Sequence, residues 1–334
     1  MAGHTEVPSE IKAIIHDPKT HKLTVSRIPT PKPSSTEYLV KVHCVGITNG
    51  ELLWPEPCSL TTPIPGFDVV GNVVTSPSPN SKFQPGDEVY ALTSFSRQGN
   101  AREYTVIDES EIAGSTAAGW SRKQAASVPM SALTAWQALF EKGGLEEGKG
   151  KNDKSKKVLI IGASGAVGIW AVQLAKWVGA HVTGMCGPSN VDWVKNKLGA
   201  DEVLNYTEVS LKDYIGEKEK SRFDLVLDCV GGESLKDAWR AVKKEGLMIC
   251  IVQPVDGAKP DEGVSDGVKG LFFIVEPSGK QCGKITAVVK EEGLQTQVDG
   301  DKVWLLEDYE KAFERVASGH ARGKVVLSLI SSEE

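Results

Sequence analysis

The run Val158-Leu159-Ile160-Ile161 breaks into Gly162-Ala163-Ser164-Gly165-Ala166-Val167-Gly168, and an apolar-periodic stretch then reaches Gly179. Ala163, Gly165 and Gly168 fall on the three positions of a G-x-G-x-x-G turn, with alanine in the first. Between a strand and a helix, such a turn lets the backbone approach a pyrophosphate at Gly165 and lets the helix pack closely at Gly168. Ser164, Ala166 and Val167 complete the cradle, where the helix start presents free amides and the positive end of its dipole. The bland alternative is a tight strand–helix turn with no ligand.

The next expected strand decides which dinucleotide fits. A site for NAD normally carries an acidic residue ending the second strand, about 20 residues on, to bind the ribose hydroxyls. Here His181-Val182-Thr183-Gly184-Met185-Cys186-Gly187 ends without an acid, and Ser189, Asn190, Lys195 and Lys197 follow. Hydroxyl, amide and ammonium groups suit a 2′-phosphate, so NADPH is favoured over NADH. Lys195 and Lys197 fit equally well as the solvated face of a helix over 191–198.

These residues require a parallel sheet beneath them. Strands are expected at 157–161, 181–185, 201–204, 223–228 and 247–252, with helices at 167–178 and 191–198 between them, a βαβ alternation. The first third of the chain is different. Short β-branched runs at 10–15, 23–27, 38–45, 67–75, 87–91 and 102–106, separated by Pro- and Gly-rich turns, suggest an antiparallel barrel. In the third run, alternation puts Val40, Val42 and Cys44 on one face. A helix over 131–142 leads out of this region, and a tail helix (306–318) and strand (323–330) return to it. At 334 residues, against about 150 per domain, two domains are expected. The six cysteines lie far apart with no CxxC pair, which reads as reduced, buried thiols and not as a disulfide framework. None of the six histidines falls in a metal-like cluster.

Pro65-Gly66-Phe67-Asp68-Val69-Val70-Gly71, Pro85-Gly86-Asp87-Glu88-Val89, Ala132-Leu133-Thr134-Ala135-Trp136, the 163–168 turn, Leu198-Gly199-Ala200-Asp201 and Gly323-Lys324-Val325-Val326 follow one another in a characteristic order. Nearly the whole chain thereby resembles the medium-chain dehydrogenase/reductases, within them the quinone oxidoreductase and enoyl reductase branch, including fungal secondary-metabolism members. The resemblance implies an α/β protein in two parts. A GroES-like β-barrel catalytic domain would span 1–129 and 276–334, and a Rossmann doubly wound parallel-sheet domain for NADPH would span 130–275. It also implies cofactor contacts at Met130, Thr134, Tyr206, Val230, Phe273, Ile274, Val275 and Lys324, each of which fits core packing as well.

Zinc-dependent relatives hold their catalytic metal with two cysteines and a histidine, and the matching positions here are Thr48, Phe67 and Met130. Neither Phe nor Met is a useful zinc ligand and Thr is a poor one. The cysteine lobe of a structural zinc is also missing between 92 and 112, so no zinc is expected. Without a Lewis acid, a conjugated acceptor is the natural substrate, since hydride addition leaves a delocalised enolate or phenolate that hydrogen bonds can stabilise. Thr48 and Asn49 are the candidate catalytic donors, or else strand-end caps. Glu51 is read as structural. Trp54 in its proline-rich loop, with Phe67, suggests an apolar pocket for a small conjugated substrate, or a cap on the barrel core.

A net charge of −6 gives no electrostatic reason for a nucleic-acid or anionic-membrane partner. No stretch approaches the ~18 apolar residues of a membrane span. A polar N-terminus without an apolar signal core points to the cytosol. The apolar run 272–275 suggests a homodimer built by sheet extension. Two further readings stay open, a trans-acting enoyl reductase of a secondary-metabolite pathway and a catalytically weak NADPH-binding protein.

Overall fold

The structure, a computed structural model, describes residues 7–54, 63–115, 118–151, 155–216 and 221–330. The expected substrate-side segment 52–58 is thus covered only through Trp54, and Cys58 lies outside the described residues. The chain divides into two compact units, Met1–Met130 with Pro277–Glu334, and Ser131–Glu276.

The first unit begins with the antiparallel pair β1 (Glu10–His16) and β2 (Leu23–Pro29). Then come β3 (Glu37–Ile47), β4 (Asp68–Thr75), β5 (Glu88–Leu92), β6 (Tyr104–Asp108) and β7 (Ile112–Gly114). The helices α1 (Arg122–Ala126) and α2 (Pro129–Trp136) carry the chain out. The expected helix over 131–142 is interrupted, because α2 gives way to a π-helical stretch at Gln137–Lys142.

The second unit holds β8 (Lys157–Ile161), α3 (Ala166–Trp177), β9 (His181–Cys186), α4 (Val191–Asn196) and β10 (Glu202–Asn205). It continues with α5 (Leu211–Ile215), β11 (Phe223–Asp228), α6 (Ser234–Ala241), β12 (Val242–Cys250) and β13 (Lys269–Phe272). Back in the first unit are α7 (Gly279–Glu292), β14 (Val298–Leu305), α8 (Tyr309–Ala317) and β15 (Lys324–Ser328).

In the second unit six parallel strands run in the order β10-β9-β8-β11-β12-β13. The order reverses between β8 and β11, which is where an open parallel sheet leaves a crevice at its carboxyl edge. Leu159, Val226, Leu235, Trp239 and Met248 fill the core on one side of it. In the first unit the seven-stranded sheet runs β14-β15-β3-β4-β5-β7, with β6 also pairing β3. Val40, Val42, Val45 and Ile47 of β3 are buried in its core with Val69, Val325 and Leu327.

Two differences from expectation bear on the site. β12 starts at Val242 and ends at Cys250, so Val252 stands beyond the strand and is half exposed. The strand expected to include Phe273, Ile274 and Val275 ends at Phe272, so these three residues follow it.

Candidate functional site

Within the second unit, β8 ends at Ile161 and the chain turns at Gly162, whose φ of +81° lies in the left-handed region. The positive φ thus falls one residue before Ala163, which holds the first position of the turn motif. Ala163 is fully buried, and its β-carbon sets the clearance around Gly184. The amides of Gly162 and Ala163 both donate to Met185 O, at 3.0 and 2.9 Å, and tie the turn to β9. Gly165 caps α3 without a side-chain hydrogen bond, which leaves the first amides of a 12-residue helix to other acceptors. Gly168 has no room for a side chain, since a β-carbon there would lie 2.2 Å from Gly162 O. Ser164, Ala166 and Val167 line the same turn and are partly exposed.

Ser189 and Asn190 follow β9 in a short 3₁₀ turn, and Asn190 Nδ2 donates to Ser164 Oγ at 3.2 Å. Two residues expected at opposite ends of one ligand contact are thus already joined. Lys195 is turned to the backbone, with Nζ 2.7 Å from Asp201 O. Tyr206 is 55% exposed and its hydroxyl borders Gly187 at the end of β9. Past β11, Asp228 Oδ1 accepts from the amides of Val230 and Gly231 at 2.7 and 3.0 Å and anchors that loop. Val230 itself borders Gly162, so the loops after β8 and β11 meet at the reversal of strand order. Val230, Val252 and Ile274 expose large apolar side chains at the carboxyl ends of three adjacent strands. Sequence reasoning missed Val252, because the strand was placed two residues too far along. Phe273 is half-buried, whereas Val275 and Thr134 are buried.

A second cluster lies within the first unit. The sheet register pairs Gly46 of β3 with Asp68 of β4 on one side and with Val326 of β15 on the other. Thr48 just past β3, Asp68 at the start of β4 and Lys324 at the start of β15 are thereby neighbours. Lys324 Nζ lies 2.6 Å from Asp68 Oδ2 and 2.6 Å from Thr48 Oγ1. Thr48 Oγ1 donates to Met130 Sδ at 3.1 Å, and the amide of Met130 donates to Asp68 Oδ1 at 2.6 Å. Lys324 is 3% exposed and Asp68 fully buried. Lys324 was expected to reach a cofactor's phosphates or ribose; its ammonium is instead engaged by this pair. Burial pushes the Asp68 carboxyl up and Lys324 draws it back.

Gly46 makes the pair possible, since a β-carbon there would lie 2.7 Å from Lys324 Cε and 2.9 Å from Asp68 Oδ2. Beside it Glu51 is buried with neither carboxyl oxygen hydrogen-bonded. Burial pushes its pKa up to about 8, against the opposing pull of Lys324. Asn49, the other candidate donor, is exposed.

Next to these groups, Trp54 stacks on Phe67 with ring centroids 6.3 Å apart, and Phe95 sets its edge against both, at 5.6 and 4.9 Å. Phe95 escaped the sequence reading because it sits in a loop with no motif. Among the described residues, no three His, Cys, Asp or Glu side chains gather as a metal site.

The family model for the alcohol dehydrogenase GroES-like domain matches residues 34–134, and that for zinc-binding dehydrogenases matches 198–327. A "Probable zinc-binding oxidoreductase, mitochondrial" of Arthroderma benhamiae is 41% identical over 99% of this chain and 100% of its own. The chain belongs to the medium-chain dehydrogenase/reductase superfamily. It is an oxidoreductase. The mouse "NAD(P)H oxidoreductase RTN4IP1, mitochondrial" is 34% identical over 79% of this chain and 70% of its own. The structure of the quinone oxidoreductase from Coxiella burnetii superposes with a TM-score of 0.81 at 25% identity, covering 96% of this chain and 100% of that one.

The expected cytosolic location is overturned, since the two sequence relatives are mitochondrial by name. A missing apolar core speaks only against a secretory signal. Organelle-targeting segments are polar and amphipathic, so that argument could not separate cytosol from organelle. Among the described residues no helix is long and apolar enough to cross a membrane.

Proposed function

We propose that this oxidoreductase is a zinc-independent, NADPH-dependent reductase of conjugated acceptors, quinones or α,β-unsaturated carbonyls. The observation that carries this reading is Phe67. Where zinc-dependent relatives place a metal-binding histidine, its ring instead joins Trp54 and Phe95. The residues present do not fit zinc, despite the name of the family model. Thr48 and Met130 offer a hydroxyl and a thioether, and the Lys324 ammonium 2.6 Å from Thr48 Oγ1 would repel a dication.

NADPH does fit the second unit. The amides at the start of α3, between Gly165 and Val167, would hold the pyrophosphate, and the tightness at Gly168 keeps that helix end close to β8. Ser189 and Asn190, with no carboxylate ending β9, suit the 2′-phosphate. Tyr206 suits the adenine, and Val230, Val252 and Ile274 offer an apolar wall. When bound, the cofactor supplies hydride. The protein's part is orientation and charge: the aromatic group offers a flat apolar surface for a conjugated ring, and Thr48 offers a hydrogen bond to its oxygen.

The reading is tested by following NADPH oxidation at the cofactor's absorbance against quinones and enones, with NADH in parallel. Turnover of at least one acceptor, with NADPH preferred, is expected. Tight NADPH binding with no turnover on any acceptor would overturn it.

A further inference from the structure

The Lys324–Asp68 pair is shut away from water, and a pair so placed is retained only where its remaining donors are also satisfied. One ammonium donor goes to Thr48 Oγ1. That bond sets the direction of the hydroxyl: with a lone pair taken by the cation, Thr48 donates onward. Its present acceptor is the thioether of Met130, a weak one. Thr48 is only half-buried, which puts the residue that receives the buried ammonium at the edge of the cluster.

We propose that Lys324 acts through Thr48 to stabilise the negative charge that develops on the acceptor's oxygen, with Asp68 holding the lysine in place. The proposal rests on the conjugated-acceptor reading above. In the step it describes, hydride adds to the acceptor's carbon and the displaced π electrons come to rest on its oxygen. That oxygen is a far better acceptor than a thioether, so Thr48 turns from Met130 to it. The ammonium behind it polarises the hydroxyl and so strengthens the bond cooperatively, and the developing negative charge makes that bond charge-assisted, about twice as strong as a neutral one. A proton from solvent then neutralises the oxygen, and Lys324 keeps its own. Thr48 is the catalytic residue in this scheme, and Lys324 and Asp68 are positioning residues. Together they take over the electrostatic task that a metal performs in zinc-dependent relatives.

The test uses 4-nitrophenol, whose phenol and phenolate forms absorb differently, bound to the full-length protein saturated with NADP⁺. Wild type should hold the probe mainly as phenolate at a pH where free probe is mainly phenol. The double variant Lys324→Met/Asp68→Asn, which leaves no lone buried charge, should shift the bound ratio at least tenfold toward phenol. It should also lower kcat about 100-fold, the scale of a lost oxyanion donor, with little change in KM. Lys324→Arg should restore much of the phenolate preference. Should the double variant fail to fold, Thr48→Val breaks the same link and leaves the ion pair intact. Unchanged probe ionisation with kcat within about threefold of wild type would overturn the role of Lys324 and leave the reductase reading standing. A wild type that turns over no acceptor would overturn both.

Discussion

Lys324 Nζ lies 2.6 Å from Thr48 Oγ1, although 276 residues separate them in sequence. The contact follows from register. β15 pairs with β3 so that Val325 faces Ile47, and the next residue outward on each strand brings Lys324 to Thr48. Asp68 approaches from β4 on the other side of β3, opposite Gly46. One strand end thus gathers a cation, an anion and a hydroxyl from distant parts of the chain.

Gly46 is the steric condition for that gathering. A β-carbon there would also lie 2.6 Å from Ala126 O, so backbone blocks it as well as the ion pair. Gly46→Ala should destabilise the protein by about 1–3 kcal/mol, the usual cost of overpacking. It should also lower kcat by disturbing Lys324. Urea unfolding alongside steady-state kinetics checks both.

Glu51 should give the folded state a distinct pH signature. Its pKa rises from an ordinary 4.5 to about 8, mainly through burial. The folded state therefore holds this proton more tightly than the unfolded chain. Stability from this group is fully present below about pH 4.5 and is lost as pH climbs to about 8. At about 1.4 kcal/mol per pKa unit, the loss is on the order of a few kcal/mol. Glu51→Gln, neutral and of the same shape, should flatten that fall. Thermal unfolding of both proteins from pH 5 to pH 9 measures the difference.

Gly168 offers a separable test of the nucleotide turn. The side chain of Gly168→Ala would meet Gly162 O at 2.2 Å and Ala163 Cα at 2.7 Å, both backbone atoms that cannot yield without moving the turn. NADPH affinity should fall at least about tenfold, as a misplaced helix N-terminus loses its phosphate contacts. Fluorescence titration of NADPH reports this independently of any acceptor.

The aromatic group should set acceptor preference. Phe95→Ala removes the ring that packs edge-on against both Trp54 and Phe67. Aromatic pairs contribute about 0.5–1.5 kcal/mol beyond area, so KM for a quinone should rise about 2- to 13-fold. A small linear enone, with no ring to stack, should be affected less. Equal effects on both acceptors would argue against a stacking role.

What could be read from sequence depended on how local each feature is. The turn after β8 was legible because strand, turn and helix are contiguous; that Gly162, just before the motif, carries the positive φ was not. Thr48, Phe67 and Met130 were legible by resemblance as positions without metal ligands. The link from Thr48 to Lys324 and Asp68 was not, because it depends on strand register across the whole chain. Lys324 read alone is a tail lysine, with nothing to mark it as buried. Helix α7 went unassigned because Gly279 and Gly283 interrupt an otherwise amphipathic pattern with buried Ile285, Val288 and Val289. The 3₁₀ turn at Glu51–Leu53 buries Glu51, which no composition rule would predict for an unpaired carboxyl.

The most direct test of the central claim is metal dependence. The protein is dialysed against a chelator, its zinc content is measured, and its reduction of a quinone by NADPH is compared before and after. Undiminished turnover with far less than one zinc per chain is expected, with no gain when zinc is added back. Activity that falls on chelation and returns with zinc would contradict it.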